Sequence, residues 1–379
     1  GEEGSSDGWR SLWEQTLQFD DDGSEHSALT MGSTFTGSVR SRARSAAVPK
    51  TTTSVSKLRP KKPVVLASSS SILDVSRAMA SNRTDSALLT NPDATLAGIV
   101  TSTDITRKVI AASMDPTDLV SSIMTPNPKC VCMDDDATEA LIMMMDNHFR
   151  HLPVLDNSGG IVAVLDIAKC MYDAISKIEK IEEAGGGGGS QVSEAVKQAT
   201  KGLRGVSSDK AAAMQAMLGP LMQQMFGGAS HDLQAILAKR SFTDSVSPDM
   251  TVREVGKTMA RIRKAVAVVD DAGCLLGLFT LKDMNNRVLA KGLSPDTTLV
   301  KDVMTPNPES MLPTTTLLEA LHVMHDAKYL HLPVVEDDRF VGVVDVSDVM
   351  EATMGEEGSS DGWRSLWEQT LQFDDDGSE

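Results

Sequence analysis

MTPNP stands twice in the chain, at Met124–Pro128 and at Met304–Pro308, 180 residues apart. About 25 residues beyond each copy comes an apolar run opened by histidine, HLPVLD from His151 and HLPVVE from His331. Each run then leads to a Gly-hydrophobic-hydrophobic stretch that ends in Asp. Matches that keep their neighbourhood over such a distance mark a duplicated domain. Each half holds a weaker internal copy of the same pattern. Its four spellings are GIVTSTD (Gly98–Asp104), GIVAVLD (Gly160–Asp166), GLFTLKD (Gly277–Asp283) and GVVDVSD (Gly342–Asp348). Four modules in two pairs are the skeleton of the chain.

Each module reads as strand, helix, strand, strand, helix. In the second, CVCM (Cys130–Met133) is a strand and Ala137–Asn147 a helix with apolar Ala140, Leu141, Met144 and Met145. LPVL and GIVAVL follow as strands, and Asp166 opens the next helix. Strands alternating with helices at this spacing give an α/β class. Between the pairs, GGGGGS (Gly185–Ser190) reads as a flexible linker, natural or engineered. Helical stretches are expected around it at Met171–Glu183, Ser193–Leu203, Ser208–Phe226 and Ser230–Lys239, the third rich in Met and broken at Pro220.

The 379 residues suit two or three domains. A net charge of −17 argues against nucleic acid or an anionic membrane as the main partner. The stretch Ser38–Lys62 is a local exception, with eight Lys or Arg among Ser, Thr and Ala. Residues 26–57 are therefore expected to be a basic disordered arm. Four Cys without CxxC spacing point to a reducing compartment, and a cytoplasmic location is expected.

Residues Gly1–Glu25 and Gly355–Glu379 are identical at every position. Either one tail has been grafted onto both ends, or the chain belongs to an array with a 354-residue period. Ser6 or Asp7 can cap a helix, placing Trp9, Leu12, Trp13 and Leu17 on one face, with Trp363, Leu366, Trp367 and Leu371 in the second copy. A short helix of this kind needs a surface to lie on. It packs on its own domain or anchors a neighbouring unit, and paired Trp favours the anchor.

GIVTSTD, MTPNP, FRHLPVLD and GLFTLKD resemble cystathionine-β-synthase (CBS) domains, arranged as two tandem pairs over residues 58–183 and 240–354. Residues 184–239 are then a Gly-rich and helical linker, and 355–379 a Trp-helix tail. LAKGLSPDTTLVKDVMTPNPES (Leu289–Ser310) and DIAKCMYDAIS (Asp166–Ser176) are similar to plant and algal proteins that join four CBS domains to a Phox-and-Bem-type interaction domain. The resemblance implies that AMP, ADP or ATP binds in the clefts, with S-adenosylmethionine as a further candidate. It also implies roles for particular residues. In Gly-hydrophobic-hydrophobic-Thr/Ser-x-x-Asp the hydroxyl and the helix N-terminus meet phosphate, while the Asp takes the ribose hydroxyls.

Thr101 with Asp104 and Thr280 with Asp283 keep the pattern whole. The second module offers Ala163 with Asp166, and the fourth Asp345 with Asp348, whose first carboxylate repels phosphate. Each pair thus has one intact and one compromised site. Thr-x-x-Asp at a helix start is equally a capping box that needs no ligand. Arg150, His151 and His331 stand where relatives place phosphate-facing cations, and Lys264 takes the Arg150 position in the third module. The even modules are expected to lend these groups to phosphates held by the odd ones.

His322 and His325 lack metal-ligand partners and read as helix surface. No P-loop, nucleophile elbow or zinc-protease signature occurs, so no catalytic site is read. The echo favours a self-assembling structural unit, filament or tandem array, that responds to adenine nucleotides. The alternative is a nucleotide-sensing regulatory subunit without a polymer role.

Overall fold

The computed structural model describes residues 53–184, 232–239, 245–353 and 361–375. In the first module β1 (Val65–Ala67) lies parallel to β2 (Ser86–Thr90), with α1 (Ile72–Ser81) between them, and β3 (Leu96–Thr101) returns antiparallel. Ser71 starts α1 by accepting the Asp74 N–H, which meets one of the unpaired donors of a helix start. The helix after β3 is a π-helix over Ile105–Ala111.

MTPNP supplies β4 (Thr125–Pro126), an edge strand antiparallel to β3. An edge is where Pro does no harm to a sheet. Asn127 follows at φ 45° and Asn307 at φ 44°, a left-handed conformation that Asn tolerates well. Gly98 has no side chain because the strand crosses close above it. A Cβ there would lie 2.7 Å from the Met124 sulfur and 2.8 Å from the Thr125 carbonyl oxygen.

The second module contains β5 (Val131–Cys132), α2 (Ala137–Asp146), β6 (His151–Leu155), β7 (Ile161–Asp166) and α3 (Ile167–Ala184). The strand expected at Cys130–Met133 is shorter, and the helix ends one residue early. After α4 (Leu233–Ala238), the third module repeats the first as β8 (Ser245–Val246), α5 (Val252–Ile262), β9 (Val266–Val269), β10 (Leu275–Phe279), the π-helix Met284–Leu289 and the MTPNP strand β11 (Thr305–Pro306). The fourth has α6 (Leu317–Ala327), β12 (His331–Glu336), β13 (Arg339–Asp345) and α7 (Val346–Ala352).

Two boundaries shift. Residues 55–58, placed at the junction of arm and first pair, form a short 3₁₀ helix that buries Val55 and Leu58 in the core of module two. Lys61 then makes a single antiparallel bridge to Val164. Likewise α4, expected in the linker, buries Leu233 against module four. The basic arm over 26–52, the Gly run and the helices at Ser193–Leu203 and Ser208–Phe226 lie outside the described residues.

Modules one and three share one core, in which α5 packs along the π-helix Ile105–Ala111 and α1 along Met284–Leu289. Modules two and four share the other, together with α8 (Asp361–Asp375). That helix corrects the expected anchor for a neighbouring unit. Trp363 and Leu366 are fully buried, with Trp367 and Leu371 nearly so, where α8 meets α2 and α3 of the same chain. The indole rings stand 5.3 Å apart, and Trp363 Nε1 donates to Thr353 Oγ1 at 2.8 Å. The tail of the second pair thus covers the first pair. Trp9, Leu12, Trp13 and Leu17 fall outside the described residues.

Candidate functional site

Thr101 ends β3 and Thr280 follows β10, each at an extended-to-helical corner. The Thr101 hydroxyl accepts the Asp104 N–H at 3.4 Å and donates to Asp104 Oδ2 at 2.8 Å, while Oδ2 also accepts the Thr101 N–H at 3.0 Å. Thr280 and Asp283 repeat this at 3.2, 2.7 and 3.0 Å. Both are complete capping boxes, so one carboxylate oxygen of each Asp belongs to the helix start. The other faces a cation one turn on, Lys108 at 3.5 Å from Asp104 and Arg287 at 3.1 Å from Asp283.

Pairing register corrects the second module. Ser86 stands opposite Thr101, and His151 opposite Asp166; Gly98 stands opposite Leu89, and Ala163 opposite Val154. Asp166 therefore occupies the Thr101 position, Ala163 that of Gly98, and Lys169 that of Asp104. The spelling GIVAVLD is three residues out of step with GIVTSTD. Asp166 is held by Lys61 at 3.0 Å and faces Arg150 at 3.8 Å, and Lys169 donates to the Arg59 carbonyl at 2.9 Å. In module four Asp345 and Asp348 form their own capping box. Lys264 answers them, in close contact with Asp348 and 3.4 Å from Asp345. The carboxylate expected to repel phosphate is thus neutralised from module three.

Thr101, Asp104, Thr280 and Asp283 open into one cavity of about 770 Å³, between the two MTPNP segments. Arg150, His151 and His331 line it as well; Asp166, Asp348 and Lys264 do not. The intact turns were expected in the clefts of separate pairs; they instead face a common space. Five Lys or Arg line it against four Asp or Glu, with three His. In a chain of net charge −17 that is a local excess of positive charge suited to an anion.

Several groups were not foreseen. Asp85 precedes β2, bonded to Arg150 at 2.7 Å and His151 at 3.1 Å. Burial pushes its pKa up, but Arg150 and His151 outweigh this and hold the carboxyl well below the usual range. Arg263, at φ 57° after α5, lines the cavity from module three. Burial, with Arg107 nearby, lowers its pKa, while Asp104 opposes. Its position after an amphipathic helix, equivalent to Arg83, was the available signal. His331 is half-buried in the cavity wall and its pKa is shifted down, first by burial, with Asp345 pulling the other way. His325 does not lie on an open helix surface; it meets Ser176 at 3.2 Å and the Tyr172 ring at the seam of modules two and four. Among the described residues no three His, Cys, Asp or Glu converge on a metal position, and no helix is long and apolar enough to cross a membrane.

Duplicated βαββα modules whose Thr/Asp turns face a shared cleft define a tandem-pair α/β protein. The CBS domain model matches residues 55–111, 120–173, 240–290 and 300–355, and the chain belongs to the CBS-domain family. It is 39% identical over 310 residues to the CBS domain-containing protein CBSCBSPB3 of Arabidopsis thaliana, covering 81% of this chain and 54% of that protein. It is 40% identical over 302 residues to CBSCBSPB2 of the same plant, covering 79% and 53%. The chain thus spans about half the length of the curated relatives it matches. Protein MJ1225 from Methanocaldococcus jannaschii shares the fold over 78% of this chain and 98% of its own, at a TM-score of 0.53 and 15% identity. The CBS domain protein PAE2072 from Pyrobaculum aerophilum, solved with AMP, is 28% identical over 31% of this chain and 88% of its own, at a TM-score of 0.29.

Proposed function

We propose that this chain is a non-catalytic regulatory unit that binds adenine nucleotides in its central cavity. The reading rests on one observation: two complete Thr/Asp turns and the side chains of Arg150, His151 and His331 line the same space. Each turn offers the ribose hydroxyls the carboxylate oxygen that the cap leaves, on which Lys108 or Arg287 would yield a place, and offers phosphate a helix N-terminus. Arg263 and Lys282 enter the same cavity from module three and add charge for the phosphate tail. Asp166 and Asp348 lie outside the cavity lining and take no part.

A regulatory role without a polymer is favoured, because the Trp face that suggested assembly is buried within its own chain. Titration calorimetry with AMP, ADP, ATP and S-adenosylmethionine tests the site. Two nucleotides or fewer should bind per chain, and unchanged binding after joint replacement of Asp104 and Asp283 by Ala would return both turns to pure caps.

A further inference from the structure

The contact between modules one and three is built from equivalent positions that carry different chemistry. Residues 76 and 256 each lie five positions beyond their caps, Ser71 and Thr251. Ser76 is buried and donates to Asn285 Oδ1 at 2.7 Å, and Asn285 Nδ2 returns to the Ser76 carbonyl at 3.3 Å. On the other side of the approximate two-fold, Gly256 and Thr106 take these places. Thr106 donates to the Ser102 carbonyl in its own turn at 2.9 Å and asks nothing of the partner. Gly256 instead admits Ile110, because a Cβ on it would lie 2.8 Å from Ile110 Cγ2. Arg253 then reaches across to the Ile110 carbonyl, where the equivalent residue of the first pair is Leu73.

We infer that this interface is coded for unlike pairs, so that the four modules close only as first pair against second pair. Two first pairs together would drive the Ser76 Cβ into Ile110 at both contacts and leave the Ile110 carbonyl without Arg253. Two second pairs would set Gly256 against Asn285 twice, stranding a buried amide oxygen with no donor. The right partner is selected by fit and hydrogen bonding, and each wrong one meets a clash or an unpaired group.

The test uses the full chain with a protease site inserted in the Gly185–Ser190 run. The folded protein is nicked, and the exchanging halves are weighed by native mass spectrometry. Complexes of one first and one second half are expected alone. Ser76→Gly with Asn285→Thr, which removes the clash with Ile110 and the stranded amide, should add like-pair masses. Like pairs at the statistical share in the unaltered protein, or halves that separate without pairing, would overturn the inference. A second arm needs no cleavage. Gly256→Ser should lower the melting temperature, and Ile110→Ala in the same chain should recover part of the loss. Absence of recovery also overturns it.

Discussion

Asp104 and Asp283 each hold the helix start through Oδ2 and face a cation, Lys108 or Arg287, through Oδ1, the oxygen that the proposal gives to ribose. Replacing either by Ala should remove one binding event in calorimetry, with about 1.5–3 kcal/mol lost at that site. The same change should lower stability by about 1 kcal/mol even without ligand, since a cap is lost. Asn at either position, which still accepts a cap hydrogen bond, should keep most of the stability and lose most of the affinity. His331 gives a pH signature. Its pKa is lowered from 6.5 by burial, so the unfolded chain binds this proton more readily than the folded one. Its contribution to stability is complete above the unfolded pKa and declines as pH falls below it. Urea midpoints between about pH 7 and pH 5 should fall more steeply in the natural chain than in His331→Gln.

At the level of elements, α8 is a buried wedge. Trp367→Ala should lower folding stability by about 3–5 kcal/mol, seen as a large drop in the thermal midpoint. The sedimentation of the folded chain should not change. A lost oligomer without a lost melting temperature would contradict the in-chain seat of this helix. Amphipathic spacing showed which face of the Trp helix is apolar, but periodicity carries no information about the groove that receives it. The register of β7 was hidden for a related reason. Gly160 and Asp166 mimic the ends of the first motif, and only the pairing of His151 with Asp166 reveals the three-residue offset. Gly98 and Asn127 are plain in retrospect, one for the close crossing of β4 and the other for its left-handed backbone. Gly98→Ala should loosen β4 and weaken nucleotide binding together, which hydrogen exchange over 124–128 would report.

For the whole molecule, the repeats disclosed the four modules and their pairing, because duplication leaves its mark in spelling. They did not disclose that Thr101 and Thr280 look into one cavity, since that depends on how the pairs meet. The consequence is measurable. Two phosphate tails held in one space of about 770 Å³ would repel each other. The second nucleotide should therefore bind more weakly than the first, the gap narrowing with salt and for adenosine. Asp283→Ala should reduce the isotherm to a single phase. Equal affinities for two ATP molecules at low salt would show that the tails do not share the space.

Both odd modules follow their Thr/Asp turn with a π-helix, over Ile105–Ala111 and Met284–Leu289, whereas α3 and α7 of the even modules are α-helical. A π turn closes i→i+5 and takes up one residue more than an α turn, so the odd modules share a local geometry after the Thr/Asp turn that the even ones lack. The feature recurs at the same place in both halves, as MTPNP does 180 residues apart, which is the pattern that copying a whole pair of modules would leave.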